Sequence, residues 1–100
     1  MAKVTKAKLD KAWLGDVPGD RVFWCHDGRM VKNMAELSAA LKEMPNDIFE
    51  YHLNSERNDF SSWVRDVIGD MTLAGQLARV ASQATALKRV EMRLSSIIDS

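Results

Sequence analysis

From Met71 to about Ile98 the chain runs without a proline, and its apolar residues recur at a coiled-coil interval. Leu73, Val80, Leu87 and Leu94 repeat every seven residues, with Leu77, Ala84 and Ile98 at the complementary position and Glu91 as a polar break. A stripe of this period marks a helix that buries one face against another helix. A continuous helix over these residues would be about 42 Å long at about 1.5 Å per residue. The remaining chain condenses to a body roughly 28 Å across. The helix would overhang its own domain. Either it breaks near Ala81-Ser82-Gln83, or its distal half buries the seam against another chain, and the second is the expectation. Leu73, Leu77, Val80, Leu87, Leu94 and Ile98 are then the contact residues of a homodimer or higher homo-oligomer, with Glu91 weakening the contact or setting its register.

Three stretches make up one domain: a basic segment and loop over residues 1–20, a hairpin with a helical core over 21–70, and the long helix over 71–100. Leu9 and Trp13 have helical spacing, and Gly15, Pro18 and Gly19 then mark a loop. The first dozen residues should be loosely held unless Trp13 docks on the core. Val22 to His26 reads as a strand, and Asp27-Gly28 suits a two-residue type I′ turn. That turn would pair Cys25 with Met30 and Trp24 with Val31. Two strands are marginal alone, so helices must cover them. Asn33 and Glu36 have capping-box spacing ahead of the stripe Met34, Leu37, Leu41 and Met44, which Pro45 ends. Asn46 can cap a short helix carrying Ile48, Phe49, His52 and Leu53. A polar loop over 54–57 follows. A third helix opens at Asn58 or Asp59, and Phe60, Trp63, Val64, Val67 and Ile68 fill its apolar template. Gly69 suits its end and Asp70 the next cap. The expected fold is mainly α, with a short N-terminal β-hairpin, three short helices and a long C-terminal helix.

One hundred residues support a single modest core. With 14 basic and 14 acidic residues the formal net charge is zero, which argues against a protein built to neutralise phosphates. The charges are unevenly spread. Lys3, Lys6, Lys8 and Lys11 make one end basic, and Arg79, Lys88, Arg89 and Arg93 the other. Between them, Glu43, Asp47, Glu50, Glu56, Asp59, Asp66 and Asp70 outweigh Arg57 and Arg65. Such runs usually face water. The sharper reading is a basic end that meets an acidic partner or the acidic middle of a second copy. Cys25 is alone, no signal-like apolar run opens the chain, and nothing approaches the roughly 20 apolar residues of a membrane span. A cytoplasmic setting without membrane attachment is expected.

Candidate chemistry is thin. Cys25, His26 and His52 are the soft ligands, and adjacent strand residues point to opposite faces, so Cys25 and His26 cannot easily share an ion. A mixed site of His26, His52 and Asp59 is the conceivable exception; the zinc spacings are missing. Cys25, His52 and Asp59 have the residue types of a nucleophilic triad, but the apolar neighbours of Cys25 point to a small core residue. Neither HDGRM nor DVPGD has the spacing of a phosphate loop. A helix-turn-helix would offer DNA the acidic start Asp70-Met71-Thr72. No catalysis, metal or cofactor is expected.

The stretch FWCHDGRMVKNMAELSAALKEMP followed by FEYHLNSERNDFSSWVRDVIGD has a distinctive order of motifs. An aromatic precedes His-Asp-Gly; Asn-x-x-Glu-Leu, Phe-x-x-His-x-Asn and Asn-Asp-Phe-x-x-Trp follow. Over roughly residues 16–77 this resembles an uncharacterised family of small, mostly archaeal proteins, and the resemblance implies no activity. The Asn-Asp-Phe-x-x-Trp segment has a structural explanation in a helix cap with Phe60 and Trp63 as core anchors. His52 and Asn54 would tie the preceding loop to that cap. The alternative makes His26, Asp27, His52, Asn54, Asn58 and Asp59 a surface for an unknown protein partner. The functional expectation is a small intracellular, non-catalytic interaction or regulatory protein that self-associates through its C-terminal helix. The alternative is a nucleic-acid-associated protein using basic termini in an oligomer.

Overall fold

The computed structural model describes residues 9–100; Lys3, Lys6 and Lys8 of the basic N-terminal segment lie outside them. A 3₁₀ turn at Lys11–Leu14 leads into a two-stranded antiparallel hairpin, β1 (Phe23–Trp24) and β2 (Met30–Val31). Five helices follow: α1 (Met34–Glu43), α2 (Asn46–His52), α3 (Asp59–Trp63), α4 (Met71–Leu77) and α5 (Gln83–Ile98). The fold is mainly α, with an N-terminal hairpin and a long last helix, as the sequence predicts.

Local chemistry sets the helix ends. Asn33 accepts from the Glu36 amide at 2.8 Å, while the Glu36 carboxylate accepts from the Lys32 amide at 2.9 Å, one residue before the expected partner of a capping box. Met34, Leu37, Leu41 and Met44 are all buried. Asn46 does not cap α2; it is the first helical residue after Pro45, whose carbonyl accepts from Ile48 and Phe49. Asn58 caps α3 through the Ser61 amide at 3.0 Å. Beyond Trp63 the helix widens into a π-turn over Val64–Ile68, closed by the Gly69 amide on the Val64 carbonyl at 2.7 Å. Gly69 has φ 92°, the left-handed conformation that ends a helix readily only at glycine.

The expectation of one uninterrupted helix over 71–98 is corrected. After α4 the backbone tightens, with Arg79 donating to Gln76 at 3.1 Å and Val80 to Leu77 at 3.4 Å. Ser82 then accepts from the Thr85 amide at 3.2 Å and caps a separate α5. The break lets α5 turn back along α1 and bury Ala86, Val90 and Ile97 in the chain's own core. The Gln83 side chain fixes that return by donating to the Leu41 and Met44 carbonyls, each at 2.8 Å. Those carbonyls lie at the end of α1, where the helix supplies no donors. α3 is tied to α4 in the same manner, by Ser61 Oγ on the Ala74 carbonyl at 2.7 Å and Asn58 Nδ2 on Leu77 at 2.8 Å.

Candidate functional site

The hairpin turn is one residue longer than the type I′ reading. Cys25 donates to the Arg29 carbonyl at 2.8 Å and Gly28 to the Cys25 carbonyl at 2.9 Å, so His26, Asp27 and Gly28 form a three-residue loop. Gly28 alone of these has positive φ, at 95°, which a type I turn followed by a left-handed residue requires. The register is therefore Phe23 with Val31 and Trp24 with Met30, not Cys25 with Met30 and Trp24 with Val31. The one-residue shift sorts the side chains by face. Phe23, Cys25 and Val31 are buried, whereas Trp24 is 61% and Met30 47% exposed.

Behind the turn stands His52, the last residue of α2 and 4% exposed. Its Nδ1 lies 2.9 Å from Asp59 Oδ2, and its Nε2 accepts from the His26 backbone N–H at 2.9 Å. An acceptor at Nε2 places the ring proton on Nδ1, donating to the carboxylate. Phe23 and Phe60 wall the ring at centroid distances of 5.0 and 5.6 Å. Outside, the His26 ring stacks on Tyr51 at 3.8 Å, with the Arg57 guanidinium 4.8 Å from the Tyr51 centroid. Arg57 also approaches Asp59 at 3.4 Å.

Of the six residues expected to form a partner surface, five make side-chain hydrogen bonds within the chain, Asp27 by accepting from the Arg29 amide at 3.2 Å. His52 and Asp59 bind each other, and Asn58 caps α3. Asn54 donates to the Glu50 and Tyr51 carbonyls at 3.0 and 3.2 Å, closing the end of α2, and its Oδ1 accepts from the Glu56 amide. The side chains of His26 and Asp27 face solvent. Trp24, Met30 and Tyr51 are exposed as well, and nothing in the type I′ reading marks them as surface. A three-residue reading of His-Asp-Gly would have turned Trp24 and Met30 outward.

Of the conceivable triad, His52 and Asp59 are hydrogen-bonded to each other. The His52 Nε2 is occupied by the His26 amide, and burial pushes the Cys25 thiol up, helped by the charge of Asp27. A higher thiol pKa leaves less thiolate. Among the described residues no three of His, Cys, Asp and Glu are grouped so as to hold a metal ion, and no helix is long and apolar enough to cross a membrane.

The proposed oligomer seam is divided as well. Leu73 and Leu77 are fully buried and Val80 is 9% exposed, all within the chain's own core. Leu87 and Leu94 are half-buried against that core, and Ile98 is 59% exposed. Leu87 precedes Val90 by three positions, which puts it about 60° round the helix from the buried centre.

Sequence reasoning missed one buried ion pair. Asp70 caps α4 through the Leu73 amide at 3.1 Å, as its position predicts, yet it is also completely buried. Arg93 from α5 meets it with two bonds of 2.7 and 2.9 Å, and the Trp13 ring lies 5.4 Å from the guanidinium. Trp13 thus docks on the core, and Arg93 is withdrawn from the basic end. Further pairs join Arg29 to Glu43, Lys32 to Asp16 and Arg65 to Asp66.

Compared with known proteins, the chain matches over residues 21–99 the model of a family described as a family of unknown function, DUF5752. The match runs through α5, beyond the stretch ending near residue 77 that carries the motifs. No curated protein and no solved structure matches.

Proposed function

We propose, for a chain that belongs to the DUF5752 family of unknown function, the role of a small intracellular, non-catalytic interaction protein that grips a protein partner with the outer face of its hairpin. One observation carries this: Trp24 and Met30 are direct cross-strand partners, and both are left in water. Tryptophan on a rigid element is a common anchor of protein interfaces, because its large apolar area is ordered before binding. The neighbouring His26–Tyr51 stack supplies polar edges at the rim. The occupied Nε2 of His52 and the raised thiol of Cys25 speak against catalysis at the same place. Self-association belongs to the same reading, now with Leu87, Leu94 and Ile98 on the flank of α5 as its contact. The motif order as the family's signature, and its mainly archaeal distribution, are part of the proposal too.

For a nucleic-acid role through the basic ends, Arg79, Lys88 and Arg89 are exposed at the C-terminal end and Lys11 at the other. Affinity capture from the source organism tests both readings, comparing the native chain with Trp24→Ala and Met30→Ser. A protein retained by the native chain in high salt and lost in both variants supports the hairpin face. Recovery of nucleic acid that washes off as salt rises supports the basic ends instead. Identical captured sets for all three chains would remove the hairpin from consideration.

A further inference from the structure

His52 makes two hydrogen bonds that respond to a proton in opposite directions. The neutral ring donates from Nδ1 to Asp59 and accepts at Nε2 from the His26 amide. Protonation at Nε2 turns the acceptor into a donor, and two N–H groups then face each other across 2.9 Å. The same proton strengthens the other bond, because imidazolium and carboxylate make a charge-assisted pair. We infer that protonation of His52 releases the His26–Gly28 turn while the link from α2 to α3 holds, making the hairpin tip a pH-sensitive latch.

The groups around the ring come from every neighbouring element. Asp59 faces it from α3, Arg57 approaches that carboxylate from the preceding loop, and Tyr51 meets the ring edge-on at 5.0 Å from α2. The hairpin contributes His26 and Asp27, with Cys25 before them. Phe23 and Phe60 exclude water from the remaining sides. The released amide can bond to water, since the turn lies at the surface, whereas Asp59 keeps its charged partner.

The rest of the hairpin limits the movement. Within the turn, the Cys25–Arg29, Gly28–Cys25 and Arg29–Asp27 bonds preserve its shape. Phe23 and Val31 stay anchored in the core, and Arg29 is tied to Glu43 on α1. What changes is the seating of the tip, and with it the position of the His26 ring on Tyr51 beside Trp24. This inference does not rest on the identity of any partner, and it is tested on the isolated protein.

Nuclear magnetic resonance of the full chain, taken downward from about pH 8 until the His52 ring is protonated, follows both ends of the latch. The ring resonances of His52 report its protonation, and the amide of residue 26 reports release. The expected result is that this amide loses its exchange protection in step with the His52 ring, while amides within α1 and α5 stay protected. His26→Phe keeps the amide and a stacked ring but removes the second titrating histidine, and the same response is expected. In His52→Gln the response is expected to vanish; if that variant does not fold, His26→Phe decides alone. The inference is overturned if the amide stays protected through the His52 titration, if His26→Phe abolishes the response, or if all amides lose protection together.

Discussion

Trp63 is held by its face and by its edge. The ring packs against Phe23 at 5.9 Å, is 7% exposed, and donates its indole N–H to the Arg21 carbonyl at 2.8 Å. Trp63→Ala is expected to cost about 3–5 kcal/mol, against a typical total of about 5–15 kcal/mol. Chemical denaturation measures this directly, and an unshifted midpoint would place Trp63 outside the core. The apolar role of Trp63 was legible because its period-3.6 neighbours are local; the carbonyl that it bonds, 42 residues earlier, was not. Asp70 divides the same way. Its cap reaches three residues forward and follows from sequence, whereas Arg93 lies 23 residues away and reads as an ordinary surface base. Arg93→Ala leaves a carboxylate buried and uncompensated, so it should destabilise by about 3–5 kcal/mol. Asp70→Asn combined with Arg93→Met removes the charge while keeping a cap, and should melt closer to the native chain than Arg93→Ala does.

Among the elements, those specified by short-range chemistry were readable and those specified by docking were not. The α1 stripe, the Asn58 cap and the Gly69 stop all follow from residues within one or two turns of each other. The hairpin register depends on whether Asp27-Gly28 is the whole loop or its last two residues. Both are compatible with the dipeptide; burying Cys25 together with Phe23 and Val31 selects the longer loop. Gly28 is required there by its backbone alone, since a Cβ would meet nothing within 4 Å. Gly28→Ala is therefore expected to cost about 1–2 kcal/mol. Gly75, by contrast, sits exposed inside α4 with nothing within 4 Å of a Cβ, so Gly75→Ala should raise stability by about 0.5–1 kcal/mol. Thermal melts of the two variants should move in opposite directions. The helix break carried a readable signal in Ser82, but the heptad pattern outweighed it. A seven-residue repeat cannot by itself distinguish a partner chain from α1 of the same chain.

At the scale of the whole molecule, folding α5 back on α1 changes what self-association can be. The long free seam expected from sequence would have offered six apolar side chains; three are internal, two are half-buried, and Ile98 remains exposed. A stable interface usually covers about 800 Å² on each partner, and of the six seam residues only Ile98 is exposed. Association is accordingly expected to be weak, seen as a concentration-dependent mass in sedimentation equilibrium and not as a persistent dimer. Ile98→Glu should abolish it without shifting the thermal midpoint, because the residue lies outside the core. Leu87→Glu is a different experiment: a charge placed against the core should destabilise the fold before it reports on any interface. Were association to survive Ile98→Glu and disappear in Trp24→Ala, the contact between copies would belong to the hairpin face instead. A native chain that sediments as a monomer at every concentration would end the self-association reading. The apolar flank of α5 would then be the rim of the chain's own core, and the partner proposal would rest on the hairpin face with Trp24 and Met30.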